Sequence, residues 1–241
     1  MEEKTSSQNS ENEQKNVKDV VNEVASSVKS ETKTTVNDVK KSIKDVNVKK
    51  DAKKTTGFIS SFLTDPLEKI EEISNDSKHK DLKIAIILLV VWSFAVLLNS
   101  IGSQNWVFVN TGRNILSILK DILAPLFSVI VFSLVVYFMQ KNTTKKSLTT
   151  IITAITTAQI PIIFSRVLNL INLFSTSSYK ILNPFGVFTA VISLVFTYFT
   201  VKNLFNETND SKFVKSFITV EAIYYIGYFI VSFLEIYLYL L

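Results

Sequence analysis

Cysteine is absent from the chain and histidine occurs once, at position 79. Disulfides, thiolate metal sites and a conventional zinc cluster are therefore out of reach. With five glycines and four prolines in 241 residues, no phosphate-cradling glycine loop is found, nor a G-x-S-x-G elbow or an H-E-x-x-H helix. Scattered serines without a second imidazole do not make a catalytic triad. An enzyme is disfavoured on these grounds, and no cofactor, metal or catalytic residue is expected. Positive charge exceeds negative by five, but the lysines are not gathered with interleaved aromatics, so no nucleic-acid partner is expected. No short apolar run follows a basic start, and no cleavable signal peptide is expected.

What the chain does contain is segregated. Mean hydropathy is positive although a fifth of the residues are charged, a combination that one evenly mixed globular chain rarely shows. From Met1 to Lys83 the composition is Lys, Glu, Asp, Ser, Thr and Asn; from Ile84 to Leu241 apolar runs dominate. The fold class expected is all-α, a polytopic transmembrane bundle behind a polar tail that is largely disordered or weakly helical.

The tail, residues 1–56, opens with MEEKTSSQNSENEQKN, which cannot bury enough surface to offset the entropy of ordering. From Val17 to Val48 valines and an isoleucine recur at spacings of three and four, including Val36, Val39 and Ile43. That stripe fits an amphipathic helix on a membrane, a helix pairing as a coiled coil, or a fraying helix in a solvated tail. Valine's weak helix propensity favours the last. Thr55, Thr56 and Gly57 mark a joint.

Residues 57–83 form an interfacial amphipathic segment. Phe58, Ile59, Phe62 and Leu63 make an apolar patch, and a helix starts after Thr64 or Asp65, with Pro66 in its first turn and Glu68 placed for a capping box. Leu67, Ile70 and Ile73 form its apolar face.

Residues 84–241 hold five apolar stretches, about 84–101, 122–139, 148–170, 184–201 and 213–241. A helix needs about 20 residues to cross a ~30 Å hydrocarbon layer, and helices are the default where lipid offers the backbone no partner. Lys78, Lys80 and Lys83 precede the first stretch, Lys141, Lys145 and Lys146 join the second to the third, and Lys202, Lys212 and Lys215 join the fourth to the fifth. Alternate loops carry only Arg113, Lys120 and Lys180. The bias predicts a cytoplasmic N-terminus, a C-terminus outside a cell membrane, and Trp106, Tyr179 and Tyr239 at the outer interface.

The third stretch is the least apolar, with Thr149, Thr150, Thr153, Thr156, Thr157, Gln159, Ser165 and Arg166 around Pro161. It is expected to face protein, to kink near Pro161, and to use the hydroxyls of Thr156 or Thr157 at the carbonyl that proline frees. Arg166 and Glu235 fall at comparable depth, which invites pairing. Glu221 lies in the inner half of the fifth stretch, within reach of Lys146 or Lys215, or protonated and bonded to threonine. Gln159, Pro161, Arg166, Glu221 and Glu235 are the intramembrane polar candidates, either for a solute path or for helix contacts and snorkelling.

The segment FLTDPLEKIEEIS, five spans, and KKSLTTIITAITTAQIPIIFSRVLNLI with Pro161 after a basic turn resemble the Yip1-domain membrane proteins, particularly bacterial members. The resemblance covers about residues 58–241. DILAP, residues 121–125, departs from the eukaryotic members' acidic Gly-Pro segment by lacking its aromatic residue and glycine. For bacterial members the resemblance implies a non-enzymatic scaffold or organiser without catalytic residues; the alternative is a small transporter or channel component. Partners expected are the bilayer and, through the tail, anionic lipid or cytoplasmic and membrane proteins.

Overall fold

The computed structural model describes residues 25–27, 29–44, 47–76, 81–103, 111–140, 145–173, 179–206 and 210–240; within these, the side chains of 48, 101–103, 111–119, 173, 179–181, 210 and 227–240 lie outside the description. Among the described residues every regular element is a helix. The chain divides into two units, residues 1–44 and 45–241. In the first, residues 29–44 form a helix, α1. Val36 and Ile43 on its apolar stripe are exposed.

The second unit begins with α2 (Val48–Thr64) and α3 (Pro66–Asn75). Asn47 caps α2, accepting from the Lys50 amide at 3.1 Å, while Asp51 accepts from the Asn47 amide at 2.7 Å. The helix runs straight through Thr55, Thr56 and Gly57, so the joint expected there is absent. The cause is a stripe that carries across it: Asp51, Thr55, Phe58 and Phe62 recur at helical spacing and are all buried. A glycine within a helix costs only about 1 kcal/mol against alanine, less than that stripe recovers.

Asp65 starts α3 as expected, accepting from the Glu68 amide at 3.0 Å. Its own amide is given to the Ser61 carbonyl, which leaves no reciprocal arm for Glu68. Ile70 and Ile73 are buried, but Leu67 is 46% exposed. The face is narrower than the sequence implied, because Ile70, Ile73 and Ser74 already fill it.

Four longer segments follow: α4 (Leu82–Ser103), α5 (Thr111–Met139), α8 (Tyr179–Phe205) and α9 (Asp210–Leu240), with α6 (Leu148–Ala158), α7 (Ile160–Leu168) and a 3-10 turn (Asn169–Leu173) between α5 and α8. Among the described residues three helices are long and apolar enough to cross a membrane, spanning Leu82–Ser100, Lys120–Met139 and Leu182–Phe205. A fourth is reached if α6 and α7, bent by 48° at their junction, count as one span. That is fewer than the five expected. Neither α6 nor α7 crosses alone, and half of the expected fifth span has its side chains outside the description.

The bend falls where the sequence placed it. Pro161 has no amide hydrogen to give Thr157, and the helix restarts at Ile160 with proline in its first turn. The expected threonine assistance takes a different form. Thr153, Thr156 and Thr157 each donate one turn back, to the carbonyls of Thr149, Ile152 and Thr153, and the Gln159 amide turns to Thr156 and Thr157.

Helix α6 is buried along its length and contacts α3, α4, α5 and α8. One end of the bundle is tied by polar bonds: Thr150 donates to the Asp76 carbonyl at 3.1 Å, Lys146 Nζ to Asn75 Oδ1 at 3.3 Å, and Gln140 Nε2 to the Leu204 carbonyl at 3.2 Å. Near it, Phe62 of α2 stands edge-on to Phe196 of α8, with ring centroids 5.3 Å apart.

Candidate intramembrane site

A chamber of about 390 Å³ lies where the α6–α7 break meets α5, α8 and α9. The break places Gln159, and α9 brings Glu221 to the same space. Gln159 Nε2 donates to Thr197 Oγ1 at 3.0 Å, and Thr197 donates onward to the Ser193 carbonyl at 2.8 Å. Across the chamber Ser128 Oγ and Tyr224 Oη are 2.6 Å apart, and Phe132 stands edge-on to Tyr224 at 5.5 Å between centroids.

Two polar groups are left over. Ser193 Oγ is fully buried and has no hydrogen-bond partner among the described atoms. Gln159 gives one N–H of its amide to Thr197, and its carbonyl oxygen is an acceptor with no hydrogen bond among the described residues. Glu221 makes no ion pair among the described residues. Neither expected cation reaches it through a salt bridge, since Lys146 is turned to Asn75. Carboxylate, amide oxygen and hydroxyl therefore line one chamber, where acceptor capacity exceeds the donors left by the Ser193 hydroxyl and the second Gln159 N–H. Such a site accepts hydrogen bonds and attracts positive charge.

The other sequence candidates separate from this chamber. Arg166 lies on α7 with an exposed side chain, and only its backbone carbonyl is used, accepting from Asn99 Nδ2 at 3.0 Å. The side chain of Glu235 falls outside the described residues, and with it the expected pairing to Arg166, as do those of Trp106, Tyr179 and Tyr239. Pro161 shapes the site by breaking the helix. Sequence reasoning missed the α8 contribution. Thr189, Ser193, Thr197 and Thr200 are buried on one face of that helix, and their spacing of four, four and three was the signal available.

A second, open cavity of about 620 Å³ is lined by α2, α3 and the start of α4. Lys83 meets Asp51 at 2.7 Å, and that bond holds the Asp51 carboxyl below the usual carboxylate range. Lys69 divides itself between Glu72 at 2.7 Å and Asp81 at 3.7 Å while covering the Phe58 ring. Asp81 titrates higher than an ordinary aspartate, because burial outweighs the attraction of Lys69. Among the described residues no cluster of acids or histidines has the arrangement of a metal site. Comparison of the chain with known protein families, with curated proteins and with solved structures finds no match.

Proposed function

We propose that the protein is a multi-pass cell-membrane protein that binds and passes a small solute, as a compact transporter or channel component. The observation that carries this reading is the shared chamber of Gln159 and Glu221 at a broken helix. Broken spans expose backbone carbonyls and terminal dipoles inside a bilayer, and transporters use them to hold solutes near the midplane. Bonding of a polar group inside lipid is costly to leave incomplete, so an acceptor-rich chamber calls for an occupant. Five spans, with α9 as the fifth, a cytoplasmic N-terminus and the C-terminus outside complete the reading. The lysines of α2, of the α5–α6 turn and of the α8–α9 turn then share the cytoplasmic side, as the positive-inside rule requires.

Flux into liposomes containing the purified protein tests this reading. Uptake or current is expected with the native chain and is expected to fall at least tenfold with Gln159→Leu. Absence of flux for cations, anions and neutral solutes alike removes the transport reading, and tags reporting both chain ends on one face remove the topology.

A second reading is favoured by a separate observation, the bonding of α3 to the α6 end of the bundle through Thr150, Lys146 and Asn75. A fixed cytoplasmic collar with a basic α2 above it suits a scaffold of the kind the Yip1-domain resemblance implies. Anionic lipid or cytoplasmic proteins would then be its partners. Crosslinking in the native membrane, with and without residues 1–44, separates the two: a partner set lost with the tail supports the scaffold.

A further inference from the structure

The chamber at the helix break is wider than an ion needs and is walled by rings. One water's share of liquid volume is about 30 Å³, so about 390 Å³ holds a group of ring size. The rings of Phe132, Tyr224 and Tyr225 border it together with Glu221. Aromatic faces carry negative charge and attract cations within about 6 Å of the ring centroid, more strongly where water is excluded. The unspent polar groups offer more acceptor than donor capacity, and among the lining residues the only formal charge is that of Glu221.

The opening is equally informative. Val187, Val191 and Leu194 of α8 line the chamber and are at the same time 64%, 56% and 50% exposed on the outer face of the bundle. Tyr225, across from them on α9, is 61% exposed. Helices α8 and α9 are pinned by an aromatic cluster, with Tyr198 5.0 Å from Phe213 and 5.2 Å from Phe217, and the chamber begins one turn further along α9. Its mouth therefore lies between an apolar wall of α8 and a tyrosine-bearing wall of α9, and on the multi-pass reading it opens toward the hydrocarbon of the bilayer.

We infer that this chamber is a binding site for a small amphiphilic ammonium, which arrives laterally from the membrane with its apolar body between α8 and α9. Its N–H groups are taken up by Glu221, the Gln159 carbonyl and the Ser193 hydroxyl. The inference rests on the solute-binding reading above and names the solute's chemistry. A metal cation is disfavoured by the chamber's width and by its rings, and an anion by Glu221.

Equilibrium dialysis of radiolabelled phenethylamine against the full chain in nanodiscs tests it at neutral pH. Saturable binding of one amine per chain is expected. Glu221→Gln is expected to weaken it at least tenfold and Ser193→Ala severalfold, with both variants eluting as the native protein does on size exclusion. Benzyltrimethylammonium, which has no N–H to give, is expected to bind about tenfold more weakly. Native affinity in Glu221→Gln, or displacement of the amine by stoichiometric sodium, overturns the assignment. If phenethylamine fails to bind while liposomes still show Gln159-dependent flux of another solute, the ammonium is wrong and the transport reading survives; if neither is seen, both fail.

Discussion

Replacing Phe62 with alanine should release α2 from the bundle without unfolding the bundle itself. The Phe62 side chain is 1% exposed and sits edge-on to Phe196. A phenylalanine removes roughly 150 Å² or more from water, worth about 4 kcal/mol at ~25 cal/mol per Å². Alanine retains about 1 kcal/mol of that, and the lost ring pair removes about 1 kcal/mol more. The net loss, about 4 kcal/mol, falls within the range of about 3–5 kcal/mol for truncating buried aromatics. Even at the low end, the population of detached α2 rises about a hundredfold, since every ~1.4 kcal/mol is a factor of ten.

Trypsin reads that population directly. Lys49, Lys50, Lys53 and Lys54 are exposed on α2, but a peptide bond is cut only once its helix opens, and under mild digestion cleavage tracks the open fraction. Digestion in detergent, followed by mass spectrometry, is expected to show cleavage after Lys53 or Lys54 at least a hundredfold faster in Phe62→Ala. The neighbouring Leu63, 68% exposed, supplies the control, and Leu63→Ala is expected to leave the rate within about twofold, as surface substitutions usually do. Native-like cleavage of Phe62→Ala, or equal acceleration by both variants, refutes the docking of α2 by this face.

The same digestion reports on charge. Asp51 is held below its ordinary titration range by Lys83, so the α2–α4 pair contributes stability above that range and loses it as pH falls through the lowered value. Cleavage is expected to stay flat from neutral pH down to the ordinary aspartate range and to rise only below it, with Asp51→Asn accelerating it at neutral pH. Asp81 has the opposite sign: burial raises its titration, its contribution is most favourable when protonated, and Asp81→Asn is expected to leave cleavage at neutral pH unchanged or slower. Gln140→Leu is expected to cost about 1–3 kcal/mol, because it leaves buried groups without partners. Gln140 Oε1 accepts from the Lys146 amide at 2.9 Å while its NH₂ reaches the Leu204 carbonyl. A detergent melting curve shifted downward checks this; an unshifted one denies the clamp.

Hydropathy and one proline made the long apolar helices and the break at Pro161 readable before any coordinates. Aspartate before proline did the same for the start of α3. Gln159 and Glu221 stood out because polar groups are rare at that depth, and the structure brings them together. Arg166 stood out for the same reason and lies elsewhere, since its position on α7 turns it away from the break. The continuous α2 was hidden by a single glycine, whose local weakness is outweighed by a buried stripe. The hydroxyl face of α8 was hidden differently: serine and threonine hardly lower the hydropathy of an otherwise oily run. The Asp51–Lys83 bond joins residues too far apart in sequence for any periodicity to signal.

The threonines of α6 have a further consequence. Thr153, Thr156 and Thr157 satisfy their hydroxyls on carbonyls of their own helix, so these three side chains ask no polar partner of the neighbouring helices. A helix in which five of eleven residues are threonine therefore packs against α3, α4, α5 and α8 with three of those hydroxyls already spent, much as a run of valine would.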